Sequence, residues 1–280
     1  MKKISLIFAL VLAFTVQNFT QDNLQTGEKP FVLGTTATIR SSILGEERKL
    51  NIYLPEGYAT DEKASYPVIY LLDGSADEDF IHIAGLMQFS AFPWVKIMPK
   101  SILVGIENVD RRRDFTFPTS VEKDKKDFPT TGGSEKFIAF IEKELQPFIE
   151  RKYRTTESKT IVGQSLGGLL ATEILFKKPA LFTDYVIVSP SLWWDRESLL
   201  AAAPAVLRSD SSRATKVYVA VGREGKVMEA DARRLVAVLK KGNAKNLKVS
   251  FQYFAAENHA TIFHNAVYKG FEILNQNPTR

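Results

Sequence analysis

Ser165 sits in the run Gly163-Gln164-Ser165-Leu166-Gly167-Gly168, between the β-branched stretch Thr160 to Val162 and a helical pattern that opens at Leu166. G-x-S-x-G between a strand and a helix is the setting of a nucleophile elbow, in which the serine occupies a strained turn and small flanking residues let neighbouring backbone pass. Gly163, Gly167 and Gly168 supply that clearance. The hydroxyl then projects beside the positive end of the following helix. A serine hydroxyl is a weak nucleophile and needs a general base, and the chain offers three histidines. His82 lies inside the apolar pattern Phe80, Ile81, Ile83, Leu86, Met87, which assigns it to packing or a supporting role. His259 directly follows the last β-branched run, and His264 falls more than a turn into the helix beyond. Where the order along the chain is serine, acid, histidine, the base follows the final strand, and this selects His259.

The acid that would orient His259 is expected just after the strand Val217 to Val221. Glu224 is nearest to that strand end and is favoured; Glu229, Asp231 and Asp195 stay open as alternatives. Acyl transfer also needs donors for a developing oxyanion. One is expected from the backbone N–H of Leu166, the other from Gly74 or Ser75 in the turn after Tyr70-Leu71-Leu72. Two further groups are candidates for substrate contact. Arg111 and Arg113 suit carboxylate or catecholate oxygens, although either can instead pair with Asp114 to hold its loop. Trp193 and Trp194 suit an aromatic pocket, with packing under the loop as the alternative for at least one of them.

These residues need a frame. Strands are expected at Thr36 to Ser41, Arg48 to Leu54, Val68 to Leu72, Ile102 to Ile106, Thr160 to Val162, Tyr185 to Val188, Val217 to Val221 and Val249 to Phe254. The first two flank Gly45 as a hairpin, and the later continuous apolar runs suit strands buried on both faces. Helices are expected from Ser134, as N-cap, to Glu150, from Leu166 to Lys178, from Glu229 to Lys241 and from Thr261 to Leu274. Alternating strands and helices predict one α/β domain with a mostly parallel sheet. The long stretches Asn108 to Gly133 and Ser189 to Lys216 are expected to carry substrate-facing loops or a short lid.

Composition narrows the classes. The absence of cysteine excludes disulfides, thiolate metal sites and a cysteine nucleophile. Three histidines without H-x-x-x-H spacing or cysteine pairing offer no convincing ligand set, so no metal is expected. Lys2 and Lys3 precede the apolar run Ile4 to Phe14, the order of a secretory signal that is too short for a stable membrane span. Residues 1–20 are therefore expected to be removed, leaving 21–280 as an exported catalytic domain, periplasmic or secreted. The formal charge of +5 then falls to +3, with 35 basic against 32 acidic residues, and the scattered excess does not fit a nucleic-acid partner.

Several segments together resemble the putative-esterase family of α/β hydrolases, in its esterase D and siderophore-ester hydrolase branch. They are Tyr70 to Gly74, Phe80 to Gly85, Val104-Gly105-Ile106 with Asp110 to Phe115, Gly163 to Gly168, Ser189-Pro190-Ser191-Leu192-Trp193-Trp194, Val221 to Glu224 and Glu257-Asn258-His259. The resemblance covers about Val32 to Leu274. It implies the α/β-hydrolase fold, with an eight-stranded, mostly parallel sheet between helices and a short lid. It also implies a serine carboxylic-ester hydrolase without metal or cofactor, working through an acyl-enzyme on siderophore, feruloyl or acetyl esters, whether small molecules or linked to polysaccharide. An acyltransferase of the same fold and a non-catalytic carbohydrate- or siderophore-binding module are the rivals.

Overall fold

The β-branched and aromatic runs of the chain pair into a single sheet whose two faces are both covered. In this computed structural model, residues 27–206, 214–242 and 246–276 are described. The expected signal, residues 1–20, lies outside them. Of the leading segment Met1–Val32, residues 27–32 are exposed and carry no regular secondary structure.

From Leu33 onward the strands are β1 (Thr35–Ser41), β2 (Glu46–Tyr53), β3 (Tyr66–Leu71), β4 (Ile102–Ile106), β5 (Thr155–Gln164), β6 (Asp184–Val188), β7 (Thr215–Gly222) and β8 (Leu247–Phe254). Their order is β1-β2-β4-β3-β5-β6-β7-β8, with β2 antiparallel to both neighbours and every pairing from β4 to β8 parallel. The β1–β2 hairpin turns at Gly45, whose φ of +72° favours a residue without Cβ.

The helices are α1 (Phe80–Ser90), α2 (Arg111–Phe115), α3 (Glu122–Asp127), α4 (Ser134–Phe140), α5 (Gln146–Lys152), α6 (Leu166–Lys177), α7 (Ser198–Val206), α8 (Gly225–Lys241) and α9 (Ile262–Asn275). Alternation along the strands feeds two cores. Ile161, Tyr185, Ile187 and Val219 pack with α6, α8 and the run from Phe137 to Ile149. Val162, Val186, Val188 and Ala220 pack on the other face with α1 and α9.

Three local expectations are corrected. The helix expected from Ser134 is two α-segments joined by a π-turn over Ile141–Leu145, where the Gln146 N–H reaches back to Ile141 O. Pro147 has no N–H to give Lys143, so the regular ladder cannot pass through this point. Ser134 is the first helical residue and not the cap; Gly133 takes that place, and Ser134 Oγ is buried without a partner. Helix α8 begins four residues before Glu229, because Glu229 Oε1 accepts from the backbone N–H groups of Glu224 and Gly225 and so caps the opened turn.

Candidate active site

The chain leaves β5 and enters α6 through Ser165, at φ +58° and ψ −118°. A non-glycine residue there costs roughly 1–3 kcal/mol and persists only where its surroundings over-determine it. They do: Ser165 N–H donates to Val188 O at 3.1 Å, while its carbonyl accepts from Leu169 N at 2.9 Å and Ser191 N at 3.0 Å. A Cβ at Gly163 would stand 2.5 Å from Gly167 O, and one at Gly168 would stand 3.0 Å from Val188 O and Pro190 Cα. At Gly167 a Cβ would meet only ordinary contacts, so that glycine matters through its backbone, which lies against Gly163.

Beyond β7 and β8 the other two groups meet. His259 Nδ1 lies 2.6 Å from Glu224 Oε2, and Glu224 Oε1 accepts from Gly222 N at 2.8 Å and Ser189 Oγ at 2.5 Å. The Glu224 side chain is 2% exposed and that of His259 is 48% exposed. Burial pushes the Glu224 carboxyl up, but the hydrogen bonds from His259, Ser189 and Gly222 together outweigh it and hold the group below the ordinary carboxylate value. An ionised carboxylate only accepts, so Nδ1 carries the ring proton and the neutral imidazole presents a bare Nε2. Ser165 Oγ rests 3.2 Å from Ser191 Oγ, and no hydrogen bond joins it to His259 in this conformation. Gln164 nevertheless ties the base loop to the elbow, its Nε2 donating to His259 O at 2.5 Å.

None of the alternative groups bonds to Ser165 or His259. His264 Nε2 lies 3.3 Å from Asp79 Oδ1, and its ring stacks on His82 at 3.6 Å. Asp195 accepts from Thr119 Oγ1 and from the N–H and Oγ of Ser120, and Glu229 caps α8. Asp231 is buried on α8 with Oδ2 unpartnered, and burial, followed by the nearby Glu197, pushes its carboxyl up to about 6 despite Arg234.

Of the two oxyanion candidates after β3, Gly74 is corrected: its N–H donates to Ile106 O at 3.0 Å. Gly74 serves packing, since a Cβ there would fall 2.4 Å from Gly105 Cα in β4. Ser75 N–H has no such partner, and Leu166 N–H, in the first turn of α6, has no acceptor within its helix.

Two proposed substrate contacts are also corrected. Arg113 turns into a network with Asp114 Oδ1 at 2.8 Å and Glu46 Oε1 at 2.6 Å, next to the fully buried Arg48 that pairs with Asp114 Oδ2 at 2.6 Å. Trp194 is 0% exposed and donates its indole N–H to Phe117 O at 2.9 Å. Trp193 stays half-buried, 6.1 Å from the Phe128 ring. Arg111 grips Asp73 with Nε at 2.6 Å and Nη2 at 2.9 Å, and the same Nη2 reaches Gln164 O at 3.3 Å. Sequence reasoning missed Asp73, Gln164, Ser189 and Ser191. The Ser189-Pro190-Ser191 run is visible in the chain, but nothing local pairs its serines with Glu224 and Ser165, 35 and 26 residues away.

The family model described as "Putative esterase" matches residues 41–271. The chain belongs to this family. It is a carboxylic ester hydrolase. Ferri-bacillibactin esterase of Bacillus subtilis is 30% identical to it over 247 residues, 82% of this chain and 85% of that protein. The solved structure of an IroE-like serine hydrolase from Shewanella oneidensis superposes with a TM-score of 0.80 at 32% identity, covering 86% of this chain and 79% of that one. The BES protein from Bacillus cereus gives 0.79 at 30% identity, covering 90% and 99%. The eight-stranded, mostly parallel sheet is thus the α/β-hydrolase sheet of this family. Among the described residues no helix is long and apolar enough to cross a membrane.

Proposed function

We propose that this chain is an exported serine hydrolase that opens ester bonds of catecholate siderophores through an acyl-enzyme on Ser165. The observation that carries the proposal is the 2.6 Å contact of His259 Nδ1 with a buried carboxylate, on a loop tethered to a strained serine elbow. The siderophore class is drawn from the relatives named ferri-bacillibactin esterase and, in Emericella nidulans, siderophore enterobactin esterase.

Ser165 Oγ turns from Ser191 to His259 Nε2, gives up its proton and attacks the ester carbonyl. The oxyanion is held by the N–H groups of Leu166 and Ser75, donors fixed before charge develops. His259, now cationic against Glu224, returns the proton to the departing alkoxide, and the acyl group stays on Ser165. Water then gives its proton to Nε2 and attacks the acyl carbon; the same steps run back to free acid and serine. Trp193, half-buried against the Phe128 ring, is the aromatic group proposed to meet the acyl part of the substrate. Export rests on Lys2, Lys3 and the apolar run that follows; residues 21–280 are the mature domain.

A panel of triscatecholate trilactone, feruloyl, butyryl and acetyl esters tests the substrate class. The trilactone should give the highest kcat/KM, and a preference for feruloyl or acetyl esters would move the enzyme to polysaccharide side chains. Added alcohol acceptors should yield little transesterified product; a predominance of it would mark an acyltransferase.

A further inference from the structure

Asp73 stands two residues before Ser75 with φ +54°, a left-handed backbone that a non-glycine residue holds only when fixed from outside. Its carboxylate is gripped on both oxygens. Arg111 binds Oδ1 and Oδ2 in a two-pronged contact, and Asn108 Nδ2 adds a bond to Oδ1 at 2.7 Å. Arg111 also donates to the carbonyl of Gln164, the residue before the nucleophile, and Gln164 donates its amide to the carbonyl of His259. A continuous line of bonds thus runs Asp73–Arg111–Gln164–His259, from the turn after β3 through the elbow to the base loop. Burial works against the Arg111 charge, yet the Asp73 contact together with the nearby Glu78 and Asp79 more than offsets it and holds the guanidinium above its ordinary value. The Phe115 ring, 5.4 Å from the guanidinium carbon, steadies it from α2.

We propose that Arg111 is a positioning residue, which locks the turn that presents the Ser75 N–H in register with Ser165 and His259, and is not a receptor for substrate charge. This rests on the acyl-enzyme reading above. Three loops that share no sequence neighbourhood must agree to within a fraction of an ångström for attack, and a misplacement of about 1 Å costs on the order of 100-fold in rate. An arginine fork supplies that geometry, and a lysine point charge does not.

The test compares Arg111→Gln, Arg111→Lys, Asp73→Asn and the exposed control Arg112→Gln with the full chain. The substrates are a neutral ester, 4-nitrophenyl acetate, and an anionic one, 4-nitrophenyl hemisuccinate. Arg111→Gln and Asp73→Asn should lower kcat on both by roughly 100-fold with KM nearly unchanged, and Arg111→Lys should restore little. The affinity of a boronic acid, a mimic of the tetrahedral adduct, should fall in step with kcat, while thermal midpoints stay near that of Arg112→Gln. A rise in KM confined to the hemisuccinate would make Arg111 a substrate contact and overturn the proposal, as would kcat values equal to the Arg112→Gln control. Should Arg111→Gln fail to fold, Asp73→Asn carries the same comparison from the other side of the contact. The Ser165→Ala variant is run beside them: its full activity would sink the acyl-enzyme reading, whereas an inactive Ser165→Ala with unaffected Arg111 variants would sink the positioning role alone.

Discussion

A carboxylate that accepts hydrogen bonds from Ser189, Gly222 and His259 has little reason to take up a proton, and this fixes what Glu224 can do. It stays ionised above the ordinary carboxylate range, favours the Nδ1–H tautomer of His259 and, in the proposed mechanism, answers the imidazolium charge when it forms. In Glu224→Gln the amide either keeps an uncharged oxygen on Nδ1–H and turns its NH2 against the Gly222 N–H, or turns its NH2 to Nδ1 and forces the other tautomer, so kcat should fall by roughly 10²- to 10⁴-fold with KM little changed. Steady-state kinetics check this; a loss under tenfold would leave a serine–histidine dyad. Because its carboxyl is held below the ordinary value of about 4.5, the stability Glu224 contributes is present above that pH and fades as pH falls through its folded value. His259→Ala should be nearly as damaging as Ser165→Ala, while His264→Ala, which breaks the Asp79 contact, the stack on His82 and the edge contact with Phe263, should keep most of the rate. The opposite ranking would transfer the base to His264.

At the scale of elements, the elbow holds Ser165 at a positive φ, and its glycines are where it fails. Gly163→Ala forces a methyl to within 2.5 Å of Gly167 O. It should destabilise by about 3 kcal/mol, read as a drop in thermal midpoint of roughly 6–12 °C; Gly167→Ala, with free space at ordinary contact distance, should cost much less. Strands β3, β4, β6 and β7 were legible because buried parallel strands have to be continuous apolar runs, and β1 and β2 because they flank Gly45 as a hairpin; of β5 only Thr160 to Val162 was expected, whereas the strand begins at the partly exposed Thr155. Helix ends were less so: the early start of α8 depends on Glu229 folding back onto two N–H groups, and the π-turn on a single missing donor at Pro147. Helix α1 was visible only as an apolar pattern around His82. Ser165, His259 and Glu224 could be read from their places after strand ends, which topology brings to one edge of the sheet. The roles of Gly74, Arg113 and Trp194 could not, because a packed Gly105, an acidic network and a carbonyl at Phe117 claim them only once distant segments meet.

Over the whole molecule, stability has to come from the two cores on either side of the sheet, since no cysteine is present. Asp231 works against it. Its carboxyl is pushed up from 3.8 to about 6, so the neutral form is favoured by folding, and stability present at acid pH is lost as pH rises through the folded value. Asp231→Asn should therefore raise the thermal midpoint at pH 8 by roughly 3 °C, with the gain vanishing near pH 4, as followed by circular dichroism; a gain equal at both pH values would place the cause elsewhere. Among the described residues no group of three or more histidine or acidic side chains is arranged to hold a metal, and turnover is expected to survive chelator unchanged, whereas restoration by zinc or calcium after chelation would contradict the acyl-enzyme chemistry proposed here. That chemistry depends on a single covalent event. The most direct measurement is intact-mass and peptide mass spectrometry after incubation with a fluorophosphonate: one equivalent of adduct is expected on the peptide containing Ser165, none in Ser165→Ala and slow formation in His259→Ala, whereas an unlabelled wild-type chain, or equal labelling in Ser165→Ala, would rule out Ser165 as the nucleophile.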